Sequence, residues 1–108
     1  MSYDFTLLAN DTVPTGEEHE VWWRNHTSNT SAMWRHAGAD LAEMSGKRAA
    51  DVAPLLAVAV ERMRADEPTY RQWDAPNGWG DYASTLDFLT AIAEACALHP
   101  ATIVHVSH

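Results

Sequence analysis

Cysteine is nearly absent. Cys96 is the only one in 108 residues, which excludes an intramolecular disulfide and any Cys-based zinc knuckle. Long apolar runs are missing too: the longest, Val52 to Val60, has nine residues and contains Pro54, against the ~20 that a bilayer-spanning helix needs. The opening residues Met1-Ser2-Tyr3-Asp4 carry neither a basic region nor an apolar stretch of the kind that begins a secretory leader, so the expected location is the cytoplasm. Basic residues are scarce, seven Lys and Arg against 15 Asp and Glu, for a net charge of −8. All seven fall between Arg24 and Arg71, so both ends of the chain are acidic. A duplex nucleic acid is therefore a poor partner, because its binder needs a basic stripe to displace counterions. Acidity of this kind suits solubility, or steering toward a basic protein surface.

Catalytic signatures are also lacking. No G-x-S-x-G, P-loop, dinucleotide fingerprint or H-E-x-x-H pattern is present, and the reading leans against an enzyme. His26 and His36 have no His or carboxylate partner of that spacing, and His99, His105 and His108 fall on different elements, so no metal or other cofactor is expected. Cys96 lies on an apolar helix face, where a thiol behaves as a small buried hydrophobe. A small hydrolase working through His26 or His36 is a minor reading.

What the chain does contain is the patterning of one small α+β domain over residues 1–108. Its length fits the ~100–200 residues of a single domain, and 46% hydrophobic with 20% charged residues is a globular composition. Residues 3–8 and 19–27 are rich in aromatic and β-branched side chains and predict strands. Asn10, Asp11, Pro14 and Gly16 between them supply turn chemistry for a hairpin. Met33, Trp34, Ala37, Leu41 and Met44 share one helical face, predicting a helix over 31–45 with Ser31 as N-cap, Gly46 as stop and Gly38 as a weak point. Val52, Leu56, Ala59, Val60 and Met63 mark a second helix, with Pro54 early in it. Residues 66–83 read as a loop holding Tyr70, Trp73, Trp79 and Tyr82. A third helix over 83–98 buries Leu86, Leu89, Ile92, Ala93 and Cys96, capped by Asp81 or Ser84, and 102–106 form a last strand. A small antiparallel sheet of about three strands with three helices packed on one face would bury all these stripes.

Two blocks carry the chemistry. Arg24 is followed by seven polar residues in a row, Asn25 to Ser31, joining a strand to a helix. A helix cap needs one such residue. The surplus suggests a ligand cradle in which Arg24 and Arg35 hold an anion and Asn25, His26, Asn29 and Ser31 hydrogen-bond a polar ligand. Plain turn-and-cap duty is the structural alternative. The second block is Asn77-Gly78-Trp79-Gly80-Asp81-Tyr82. Trp79 or Tyr82 there would stack on a flat ligand, although a Trp between glycines is more often a plug that closes a small core under a loop.

The string Asn25-His26-Thr27-Ser28-Asn29, then Met33, the proline-bearing helix around Asp51 to Leu56, and the Asn77 to Tyr82 run resemble a family of small uncharacterised proteins of bacteriophage and bacterial mobile-element genomes. The resemblance spans about residue 22 to the C-terminus. That family carries an Asn-x-Thr-x-Asn pattern followed by a Met, and an Asn-Gly-Trp-Gly run. Here Trp34 follows the Met, and the segment between the first two helices is shorter than in many relatives. No activity transfers. The resemblance implies a phage-type accessory protein in the cytoplasm of a bacterial host, and it groups the two blocks as one site.

The expectation is thus non-catalytic binding of a small polar or nucleotide-like ligand, as a counter-defence sponge would require. A protein of another class, an inhibitor or modulator of a host enzyme using an acidic, aromatic surface, is the alternative. Either is compatible with an oligomer.

Overall fold

The computed structural model describes residues 2–9 and 20–108. The proposed hairpin turn at Asn10, Asp11, Pro14 and Gly16, and the start of the second strand at His19, lie outside the described residues. Strand β1 (Ser2–Leu8) pairs antiparallel with β2 (Glu20–Thr27) on one side and with β3 (Ile103–Ser107) on the other, giving the sheet order β2-β1-β3. Helices α1 (Ser31–His36), α2 (Ala49–Ala65), α3 (Glu67–Arg71) and α4 (Tyr82–Leu98) complete the α+β architecture.

Register determines what each strand offers. Directly paired residues of neighbouring strands share a face. Tyr3 lies opposite His26, Phe5 opposite Arg24 and Val106, and Leu7 opposite Trp22 and Val104. Tyr3, Phe5, Leu7, Val104 and Val106 are buried against the helices. The other face keeps Asp4, Thr6, Trp23, Asn25 and His105, with Trp23 53% exposed. Because β2 shares register with β1, the ring of His26 comes under the helix layer, stacked 4.9 Å from Phe88 of α4.

All five predicted inward residues of α2 are buried, as are Leu89, Ile92 and Cys96 of α4, and the two helices pack on each other. Pro54 sits within α2, where its cost is one helical hydrogen bond. Asp81 does cap α4: its carboxylate accepts from Ser84 N at 2.8 Å while Ser84 Oγ accepts from Asp81 N at 3.1 Å. This reciprocal pair holds the Asp81 carboxyl below the usual range, chiefly through the Ser84 backbone N–H.

The first helix departs from expectation. It stops at His36, the chain turns through Gly38 at φ +95°, and a 3-10 turn follows at Leu41–Met44. Met33, Trp34, Ala37, Leu41 and Met44 are nevertheless all buried. Apolar spacing recorded which residues face inward, while the glycine set where the helix had to end. Ser31 is not the cap either. A 3-10 turn, Ser28–Thr30, precedes α1, and Thr27 caps it by accepting from Asn29 N at 3.2 Å. The region read as a loop holding packed aromatics contains α3, supported by an Arg71–Glu67 ion pair at 2.7 Å. The layer therefore has four helices, not three.

Among the described residues no helix is long and apolar enough to cross a membrane.

Candidate functional site

The two sequence blocks meet. Asn29 Nδ2 donates to the carbonyl of Trp79 at 3.1 Å, although 50 residues separate them. Gly80 lies against the same corner, so close that a β-carbon on it would come within 2.6 Å of Thr27 Cγ2. The loop holds its own shape: Asn77 Oδ1 accepts from Trp79 N at 3.0 Å, Ala75 N donates to Gly80 O at 3.0 Å, and Asp74 Oδ1 accepts from Tyr82 N at 2.7 Å. Between the corner and the loop lies an open cleft of about 620 Å³, lined by Ser2, Asn25, His26, Thr27, Asn29, Asn77 and Trp79. Trp79 is 71% exposed, which overturns its reading as a core plug. Trp34, fully buried among Tyr3, Phe88 and His26, holds that place instead.

His26 joins the cleft to the interior. Its Nε2 lies 3.1 Å from Thr85 Oγ1 and 3.4 Å from Thr30 Oγ1, and the two hydroxyls are 2.7 Å apart. Both threonines are fully buried. Two proton chains, Thr30 to Thr85 to Nε2 and Thr85 to Thr30 to Nε2, each use both hydroxyl protons within the trio. In either chain Nε2 accepts, and a neutral ring carries its proton on Nδ1. Burial, with help from the Arg24 guanidinium, lowers the His26 pKa below its ordinary 6.5, against the opposing pull of Asp81 and Asp87. The imidazole is therefore neutral at pH 7.

Each asparagine amide is pinned at one end by main chain. Asn25 Nδ2 donates to Tyr3 O at 3.3 Å and to Asp4 Oδ1 at 2.8 Å, Asn29 Nδ2 to Trp79 O, and Asn77 accepts through Oδ1. These bonds orient the amides and leave Asn25 Oδ1, Asn29 Oδ1 and Asn77 Nδ2 as the atoms outside them.

Four of the proposed residues lie off the cleft. Arg24 is drawn to Asp87 at 2.6 Å, because register places it on the helix side. Arg35 donates to Tyr3 Oη at 3.3 Å from the far end of α1. Neither lines the cleft, and α1 with six residues has little dipole to add. Ser31 is absorbed into the first turn of α1, its N–H donating to Ser28 O. Tyr82 is buried, donates to Met63 O at 2.8 Å, and borders a separate, smaller cleft with Arg64, Glu67 and Arg71. The anion-holding role assigned to the arginines thus finds no support in their placement.

Sequence reasoning missed Ser2, which enters only through its pairing with Thr27, and the buried threonines. Thr85 did leave a signal, as a hydroxyl on the apolar stripe of α4. The hydroxyls nearest the imidazole are buried, and among the described residues no carboxylate hydrogen-bonds the ring. His36 packs 4.9 Å from Trp73 and 5.6 Å from Tyr70, an aromatic cluster under the loop. Among the described residues no group of three or more His, Cys, Asp or Glu side chains converges as a metal set. No protein family, curated protein or solved structure matches the chain.

Proposed function

We propose that the protein binds a small polar ligand bearing a flat or ring-shaped moiety, nucleotide-like in size, in the cleft between the 24–31 corner and the Trp79 loop, without transforming it. The observation that carries this reading is the hydrogen bond from Asn29 to the Trp79 main-chain carbonyl, which anchors the loop bearing an exposed indole beside a cluster of amides and hydroxyls. An exposed Trp normally costs solvation, and an indole at the wall of a polar cleft is what a stacking platform needs. The volume, about 620 Å³, falls within the range of small-molecule sites. The motif resemblance supports a phage-type accessory protein in a bacterial cytoplasm, where binding without turnover acts by sequestration. Thermal-shift screening against nucleosides, nucleotides and neutral sugars tests the reading. Stabilisation at millimolar ligand, lost in Trp79→Ala and with the ligand recovered intact, is expected. A flat response across the panel refutes it.

A second reading, a host protein as partner, is favoured by Trp23, 53% exposed on the open sheet face, and by Val21, 42% exposed on the same strand. It requires capture of one stoichiometric partner that weakens with salt and fails with Trp23→Ala.

A further inference from the structure

We infer that the ligand of this cleft is an uncharged saccharide, its ring face against the Trp79 indole and its hydroxyls donating to Asn25 Oδ1 and Asn29 Oδ1; the inference rests on the ligand-binding reading above.

Among the described residues the lining contains no Lys, Arg, Asp or Glu. Of the two arginines nearest in sequence, one is paired with Asp87 and the other bonds Tyr3 Oη. A phosphate or carboxylate would meet no countercharge among these lining residues, while the whole chain carries −8. A neutral ligand meets neither penalty.

The pinned amides narrow the class further. Reading a nucleobase edge with one asparagine takes both ends of its amide, donor and acceptor together. Asn25 has both of its Nδ2 hydrogens committed, Asn29 one of its two, and Asn77 one of the two lone pairs of Oδ1. Asn25 therefore offers the cleft an acceptor only and is closed to a two-ended base contact, while Asn29 and Asn77 each have one of the two sites at one end engaged. Donors and acceptors spread singly over three side chains suit a ligand whose groups each donate and accept singly, and a sugar hydroxyl does both. Ser2 and Thr27 add hydroxyls of the same versatility. One exposed indole stands at the cleft; the other ring lining it among the described residues, the His26 imidazole, is stacked on Phe88. A purine gains most between two rings, whereas a pyranose presents one apolar C–H face and needs one platform. The cleft is also open, so a terminal sugar can enter while the rest of a glycan stays in solvent.

The test is a microarray of neutral glycans probed with the full chain, followed by heteronuclear NMR titration of the hits, of adenosine and of AMP. The Trp79 indole and the Asn25, Asn29 and Asn77 side-chain amides are the resonances to watch. Saturable shifts there with a neutral glycan, weakened roughly tenfold or more in Trp79→Ala and unchanged in Trp23→Ala, are expected. If adenosine or AMP saturates the same resonances and no neutral glycan does, the saccharide assignment falls while the ligand-binding reading stands. If no compound moves them, both fall. Glycan binding that survives Trp79→Ala overturns the placement in this cleft.

Discussion

Gly80 has φ +112°, and a β-carbon on it would lie 2.6 Å from Thr27 Cγ2 and 3.1 Å from Thr30 Cγ2. Gly80→Ala therefore meets two costs. The left-handed backbone charges an L-residue about 1–2 kcal/mol, and overpacking adds about 1–3 kcal/mol. Thr30 cannot step aside cheaply, because it is fully buried and tied to Thr85 at 2.7 Å. The expected loss is about 3 kcal/mol. Gly78→Ala is the internal control: its φ is +77°, but a β-carbon meets nothing within 4 Å, so it incurs only the backbone term, about 1 kcal/mol. Urea unfolding followed by circular dichroism should separate the two variants by about 2 kcal/mol, or roughly 10 °C in Tm. Relief of the clash by moving the loop would also stretch the Asn29 to Trp79 bond, so Gly80→Ala should lose ligand affinity as well. Equal destabilisation by the two substitutions would mean that the loop does not press on the corner, and the cleft would lose its wall.

Three further outcomes follow from the geometry. Since burial lowers the His26 pKa below 6.5, the unfolded chain binds the extra proton first as pH falls; the His26 contribution to stability is whole above 6.5 and declines below it, which urea midpoints across that range check, with His26→Gln flattening the slope and an NMR titration of the ring at or above 6.5 refuting it. Thr30→Val and Thr85→Val should each cost about 1–3 kcal/mol by stranding a buried partner, and the double substitution should cost clearly less than the two together, measured as a double-mutant cycle. Burial pushes the Cys96 thiol up to about 12, so it should ignore a thiol reagent at neutral pH until denaturant is added; prompt labelling of the folded protein would contradict its place in the core.

Much of the fold was legible because inward-facing side chains repeat at the period of their element. The α2 stripe and the core of the α4 stripe are such repeats, and Asp81 followed by Ser84 reads as a cap from sequence alone. The break at Gly38 was only half legible: spacing continues through it, since a glycine in the left-handed region still delivers Leu41 and Met44 to the same core. Of the candidate site, Asn25, His26, Asn29 and Trp79 line the cleft, while Arg24, Ser31, Arg35 and Tyr82 do not. The arginines were chosen for proximity along the chain. Their partners, Asp87 and Tyr3, are 63 and 32 positions away.

By itself the sequence determined the alternation of the strands, the buried stripes of the helices, the acidic balance and the existence of two polar-aromatic blocks, all of which are local periodicities or sums over residues. Only the tertiary structure decided which of five tryptophans is core and which is surface, which end of each asparagine amide is spent, and which charges cancel. Those outcomes depend on contacts between segments tens of residues apart, and the energy of a hydrogen bond or an ion pair is set by the few ångströms between its atoms, a distance that only the folded chain defines.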